Sequence, residues 1–335
     1  MSLTPREIPT GAVRFNTDSG KMEVYIGSTW MQVAVSESVP TGDRGVYAGD
    51  QEPGSNNMSY LSLTTGATAV DFGDLNFPGS LMSAVSSRTR GIFSQGIYQP
   101  GNVNKNTLDF VTIASAGNGT DFGDLTVGRF NGTGSSNQIR GVFGGGHTPS
   151  LVDTIDFVTI DITANAIDFG NLASTTYGLR SCSNQTRVLF GGGGTPGNIN
   201  VIQYVTISST GNSVDFGDLT SAKSNLLSCG NATRGFWIAG SNPSDINVID
   251  FVTSASLGNA QDFGDSTSTF IYAGDGATAS QTRGFFIDGG APGTPGGVTD
   301  ISQFNMTHKG NAIGFGDLNY AATTGGFLSN CHGGL

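Results

Sequence analysis

One phrase, Asp-Phe-Gly followed by Asp or Asn, begins at Asp71, Asp121, Asp168, Asp215 and Asp262, and a sixth copy, altered at its first residue, begins at Gly314. The steps between copies are 50, 47, 47, 47 and 52 residues. That is the period of four-stranded β-blade repeats and is longer than most helical-pair repeats. A chain made by copying one unit spells out architecture along most of its length, so functional residues are sought where the copies differ.

Composition narrows the class. With 52 Gly and only 12% charged residues, long helices are excluded and a β-rich, loop-rich chain is expected. A formal charge of −11 opposes nucleic acid as a partner, because phosphate binding needs a Lys/Arg surface that displaces counterions. Residues 1–11 carry no cationic stretch followed by an apolar run, and no window approaches the roughly 18 apolar residues of a membrane helix. The expectation is a chain with neither export signal nor membrane insertion. Cys182 and Cys229 stand five residues before a recurring arginine, where other copies have Val85, Ser135 and Thr278, so buried thiols rather than disulfides are expected.

Superposing the copies yields four strands per unit. The first, as in residues 177–185 and 225–231, is rich in Ser, Thr and Gly and suits a crowded inner position. The second opens with Arg44, Arg90, Arg140, Arg187, Arg234 or Arg283, carries an aromatic three residues on, and ends in glycine. The third has the form Ile155-Asp156-Phe157-Val158-Thr159-Ile160. Words such as Thr210-Gly211-Asn212 and Leu257-Gly258-Asn259 then read as tight hairpin turns with left-handed residues. The fourth strand carries Phe72, Phe122, Phe169, Phe216, Phe263 and Phe315. The first copy lacks its own small strand, and Leu328-Ser329-Asn330-Cys331-His332 at the other end of the sequence matches the text from Leu179 onward. The expected fold is therefore an all-β, six-bladed β-propeller over residues 39–335, its first blade closed by the C-terminal strand.

The glycine-ended strand, the aromatic strand and the arginine-opened repeat resemble kelch-type propellers over residues 44–335, with Phe at most of that family's Tyr and Trp sites. The wording Arg-Gly-aromatic-Gly-Gly, Ile-Asp-Phe-Val-Thr-Ile and Gly-Asn-Ala-x-Asp-Phe-Gly-Asp-Leu also resembles repeats of virion structural proteins from tailed phages, especially phages of cyanobacteria. The resemblance implies a structural protein of the virion, displayed as a capsid decoration or a tail or fibre appendage, in multiple copies or as a homo-oligomer; a host-surface carbohydrate-binding adhesin and a polysaccharide-processing propeller enzyme are the alternatives.

Residues 1–38 stand outside the repeat. Residues 11–16, 22–27 and 30–34 read as a small β-meander, and their wording resembles a β-element of phage fibre and appendage proteins. By that resemblance the segment attaches the protein to other virion proteins or oligomerises it, with Phe15, Tyr25 and Trp30 as attachment candidates. A cap packed on the repeats is the alternative, since so small a meander lacks a core of its own.

Chemistry is sparse. The six arginines and the acids of the phrase recur once per unit, whereas an active site needs groups converging on one place, so a structural role at blade junctions is expected. Two carboxylates per copy fall short of the six to eight oxygens calcium takes. His147, His308 and His332 lack metal-ligand spacing, and no nucleophile elbow or phosphate loop occurs. Neither a catalytic residue, a metal site nor a cofactor is expected. Variable loops at residues 95–105, 147–153 and 289–299 are the places for recognition, with Tyr98 and His147 as candidates and a host-surface glycan as the second partner class.

Overall fold

The computed structural model describes residues 9–16, 21–32, 44–49, 55–66, 68–98, 101, 103–269, 274–288, 297–322 and 324–335. The chain divides into two compact units, Met1–Pro40 and Thr41–Leu335. Among the described residues the fold is all-β, built from small antiparallel sheets. Most of the loop at residues 289–299 and the turn at residues 17–20 lie outside the described residues.

The first unit is a meander of Val13–Asn16, Lys21–Ile26 and Thr29–Gln32. Its register pairs Val13 with Val24 and Val24 with Met31, and on the other face pairs Arg14 with Glu23 and Tyr25 with Trp30. Side chains alternate between faces along a strand, so the two sets are segregated.

Among its described residues the larger unit has six four-stranded sheets. Sheet I is Gly326–Ser329, Arg44–Ala48, Asn57–Ser62 and Val70–Asp74. Sheet II is Ser83–Ser86, Arg90–Ser94, Thr107–Thr112 and Thr120–Asp124. Sheet III is Thr133–Ser136, Arg140–Gly144, Thr154–Thr159 and Ile167–Asn171. Sheet IV is Arg180–Ser183, Arg187–Gly191, Val201–Thr206 and Val214–Asp218. Sheet V is Leu227–Gly230, Arg234–Ile238, Val248–Thr253 and Gln261–Asp265. Sheet VI is Ala277–Ala279, Arg283–Ile287, Val298–Asn305 and Ile313–Ala322.

The recurring phrase has a geometric cause. Opposite each third strand the register slips by one residue, as between Met58 and Ser59 or Ile249 and Asp250, and the Phe of the phrase is the extra residue. The bulge turns Phe72, Phe122, Phe169, Phe216 and Phe263 into the core, each at most 2% exposed, while Phe315 is half-buried. The following glycine has positive φ, from 131° at Gly73 to 153° at Gly264. It also admits a neighbour: a Cβ on Gly217 would meet the Gly258 carbonyl oxygen at 2.4 Å, and one on Gly73 would meet Gly117 at 2.7 Å.

That neighbour is the Gly-Asn word of the next sheet. Gly258 N donates to Phe216 O at 2.9 Å, and the Asn259 carboxamide oxygen accepts from Asp218 N at 3.1 Å. The same clip joins Asn118 to Asp74, Asn165 to Asp124, Asn212 to Asn171 and Asn311 to Asp265, and from sheet VI to sheet I Ala69 N donates to Asp317 O at 2.7 Å. The turn assignment of these words holds in part: Gly211 and Gly258 have positive φ, 157° and 150°, in the connection between third and fourth strands. Asn212 and Asn259 do not adopt positive φ, because these residues run along the neighbouring sheet's edge after the turn is complete.

The register of the last strand also differs. Ser329, not Cys331 or His332, pairs with Gly45, as Ser183 pairs with Val188, and Asn330 accepts the Arg44 N–H as Asn184 accepts that of Arg187. Leu328 thus stands at the place of Cys182 rather than Leu179, three residues away from the match expected. The Ser-Asn pair sets the register because that Asn caps the turn into the second strand.

Two outcomes test this arrangement. Gly217→Ala should cost about 2 kcal/mol or more in urea unfolding, from φ strain and the backbone clash, while Gly117→Ala, with nothing within 4 Å of the added Cβ, stays within about 0.5 kcal/mol. Deleting residues 326–335 should abolish the cooperative thermal transition, since it exposes the Arg44–Ala48 edge; an unchanged transition would contradict the pairing.

Candidate functional site

The first strands are short and made of small residues, and that lets neighbouring sheets approach closely. At one position, four of the six carry serine. Ser86 Oγ donates to Ser329 O, Ser136 Oγ to Ser86 O, Ser183 Oγ to Ser136 O and Ser329 Oγ to Ala279 O, each at 2.7 Å. Gly230 and Ala279 occupy the position in sheets V and VI. Between these strands lies a cavity of about 50 Å³ lined from all six sheets. That volume holds one or two waters and is far below the roughly 300 Å³ at which small-molecule sites begin.

Asp275 lines the cavity and gathers three other sheets. Its Oδ2 accepts from Gly134 N at 2.7 Å and Ala84 N at 3.3 Å, its Oδ1 from Thr133 Oγ1 at 3.1 Å, and Arg180 Nε lies 3.5 Å away. Arg180 is itself fully buried and donates to the carbonyls of Gly132, Leu179 and Gly274 and to the Asn131 side chain. Burial raises the Asp275 pKa to about 6, outweighing Arg180 and the donors. His332 lines the same cavity. Its Nδ1 accepts from Gly334 N at 3.2 Å, so Nε2 carries the proton and donates to Ser86 O at 3.0 Å, with Ser136 Oγ at 3.3 Å. Burial lowers its pKa to about 4. The thiols of Cys182 and Cys229 are buried here too, and desolvation pushes Cys182 up to about 12 and Cys229 well above its usual value. They are poor nucleophiles.

Two further ion pairs are buried, each joining the segment between two sheets to the third strand of the following sheet. Arg129 meets Asp156 at 2.9 Å and Lys223 meets Asp250 at 3.1 Å, and both carboxylates also accept a threonine hydroxyl, Thr126 or Thr220, at 2.6 Å. Desolvation lowers the pKa of Arg129 and of Lys223 despite the partner.

The six recurring arginines are shared out around the sheets. Each guanidinium lies 4.2 to 5.3 Å from an aromatic ring, Tyr60, Phe110, Phe157, Tyr204, Phe251 or Phe285. Each also donates to a carbonyl of the following sheet: Arg44 to Ile113, Arg90 to Ile160, Arg140 to Ile207, Arg187 to Ser254, Arg234 to Met306, and Arg283 to Leu63.

The recognition candidates are held separately. Tyr98 is half-buried in an added three-stranded sheet of Gly79–Ser80, Ile97–Tyr98 and Val103–Asn104, with Lys105 Nζ 5.2 Å from its ring. His147 packs on Phe130 with ring centres 5.0 Å apart. In the N-terminal unit, Tyr25 and Trp30 meet at 5.2 Å, Arg14 covers Trp30 at 4.2 Å and pairs with Glu23 at 2.8 Å, and Phe15 lies on the opposite face. The three attachment candidates therefore do not form one surface. Phe15 instead joins Val13, Ile26 and Met31, which are 49 to 60% exposed.

Sequence reading passed over Arg180 and Asp275 because it weighed charges by recurrence, and weighed His332 only as a metal ligand. The signal was present: Arg180 is the one charged residue in a first strand otherwise made of small or apolar side chains. Among the described residues there is no group of three His, Cys, Asp or Glu placed to hold a metal, and no helix long and apolar enough to cross a membrane. No known family model and no curated protein matches the chain.

Asp275 and His332 make opposite demands on pH. Asp275 binds its proton more tightly folded than unfolded, so its contribution to stability is present below its unfolded pKa near 4 and is lost as pH rises through about 6. His332 resists protonation when folded, so its contribution is present above about 6.5 and is lost as pH falls through about 4. Relative to wild type, Asp275→Asn should gain stability between pH 4 and 6.5 by about 3 kcal/mol, while His332→Gln loses a similar amount over that range. Urea unfolding at half-unit pH steps measures both.

Proposed function

We propose that the six sheets are the blades of a six-bladed, kelch-like β-propeller and that the protein is a non-enzymatic structural component of a phage particle, displayed as a knob and attached through its N-terminal sheet. The observation that carries the reading is how the chemistry is spent. Arginines, buried acids and serine hydroxyls bond main chain or each other at sheet junctions, and the bonds from sheet VI back to sheet I, Arg283 to Leu63, Ala69 to Asp317 and Ser329 to Ala279, supply the contacts a closed ring needs. A cavity of about 50 Å³ leaves no room there for a substrate. The virion assignment rests on the wording of the repeats and of the N-terminal meander, which resembles phage structural proteins. The uncharged face of Val13, Phe15, Ile26 and Met31 suits attachment to another particle protein.

A second reading, a host-surface adhesin that binds glycan, is favoured by the extra sheet that carries Tyr98 in sheet II, where an aromatic beside Lys105 stands in a loop of unusual build. Immunogold labelling of purified virions tests the first reading: labelled particles are expected, and bare particles overturn it. Glycan-array binding that is lost on Tyr98→Ala favours the second.

A further inference from the structure

We propose that His332 is an acid-operated latch: residues 331–335 close one end of the cavity between the first strands while its imidazole is neutral, and protonation of the ring ejects them and opens that end.

The segment is tied to four sheets by hydrogen bonds, and its Cys331 thiol also donates to Ala279 O of sheet VI at 3.4 Å. His332 Nε2 reaches Ser86 O of sheet II and Ser136 Oγ of sheet III, Gly333 N donates to Gly230 O of sheet V at 3.0 Å, and Gln281 Nε2, in the turn that precedes Arg283, donates to the carbonyls of Cys331 and His332. None of these belongs to the ladder that pairs Gly326–Ser329 with Arg44–Ala48. Residues 331–335 can therefore leave without breaking that ladder, at the cost of exposing Cys331 and Leu335, which are 8% and 7% exposed.

The ring tolerates one protonation state only. Nδ1 accepts the Gly334 N–H and Nε2–H donates to Ser86 O, which is the pattern of neutral imidazole. A proton on Nδ1 would set two N–H groups against each other in a half-buried place. Among the described residues, no Asp or Glu side chain bonds the ring. The titratable groups lining the cavity are the thiols of Cys182 and Cys229 and the Asp275 carboxyl, which is occupied by Ala84 N, Gly134 N, Thr133 and Arg180. The main-chain and hydroxyl groups that touch the ring, on Ser86, Ser136 and Gly334, do not titrate. An imidazolium there is desolvated without a counter-charge, and the released state, where the ring is hydrated, is favoured instead. Lowering of the His332 pKa from 6.5 to about 4 agrees in direction, and a difference of that size shifts the closed-to-open ratio by about 300-fold at full protonation.

Cys331, 8% exposed, reports the opening. Its labelling by dithiodipyridine, which reacts at acid pH, is followed by peptide mapping at pH 7, 5 and 3.5 and normalised to the urea-unfolded chain at each pH. Wild type should label at least 10-fold faster at pH 3.5 than at pH 7 with its β-sheet circular dichroism retained. His332→Gln, whose amide supplies one donor and one acceptor and takes up no proton, should label slowly throughout. Wild-type labelling that stays slow at pH 3.5 overturns the latch. So does equal acceleration in His332→Gln, which would mark general acid unfolding.

Discussion

A four-stranded sheet has two free edges, and an outer edge with bare N–H and C=O groups invites pairing with anything that passes. In this chain five of the six fourth strands are clipped by an asparagine of the next sheet, four of them in a Gly-Asn word whose main chain bonds one carbonyl while its carboxamide takes a nearby N–H, as Gly258 and Asn259 do for Phe216 and Asp218, and sheet I meets sheet VI through main chain alone, from Ala69 N to Asp317 O. The phrase that marks the sequence follows from that clip. Its glycine must lack a Cβ to let the neighbour in, its Phe occupies the bulge that the approach creates, and the approaching Asn belongs to the next copy. At the opposite edge the serine hydroxyls of the first strands do similar work with single bonds.

Charge is used for the same purpose. The arginines stack on an aromatic of their own sheet and reach a carbonyl of the next, which spends a charge on a main-chain group and explains why six of them need no carboxylate partner. The costly groups are fewer. Arg129 with Asp156, Lys223 with Asp250 and Arg180 with Asp275 are buried, and such pairs offset their desolvation only when further donors complete the carboxylate. Asp275 has three such donors besides Arg180, and even so its proton is held more tightly than in water. His332 lines the same cavity as Asp275 and, among the described residues, bonds only main chain and a hydroxyl, with Nε2 donating to Ser86 O and Nδ1 accepting from Gly334 N.

The fold was largely legible because repetition averages out local accident. Four strands per copy, the borrowed strand of sheet I and the three strands of residues 9–32 could be placed from spacing and alternation. The errors have a common origin in contacts between copies. Gly-Asn words look like turns when one copy is read alone, and their partner lies in the previous sheet. Leu328 was aligned on Leu179 as one leucine on another, although the register is held by Ser329 and Asn330. Phe15 was grouped with Tyr25 and Trp30 because all are aromatic, and only the pairing of Arg14 with Glu23 and Tyr25 with Trp30 shows that the faces are opposite. The cavity was hidden for a different reason. Arg180, Asp275 and His332 each occur once; Asp275 and His332 line it, and Arg180 of sheet IV stands behind Asp275 at 3.5 Å.

The central claim is that successive sheets are interlocked at their outer edges into one cooperative unit. Native-state hydrogen exchange at the amides of Asp74, Asp124, Asn171, Asp218 and Asp265 tests it most directly, because each is an outer-edge N–H bonded to an asparagine of the next sheet. The account predicts protection comparable to that of the second strands, lost together at the global unfolding transition. Exchange of these amides at the rate of open loops, with the second strands still protected, would contradict it.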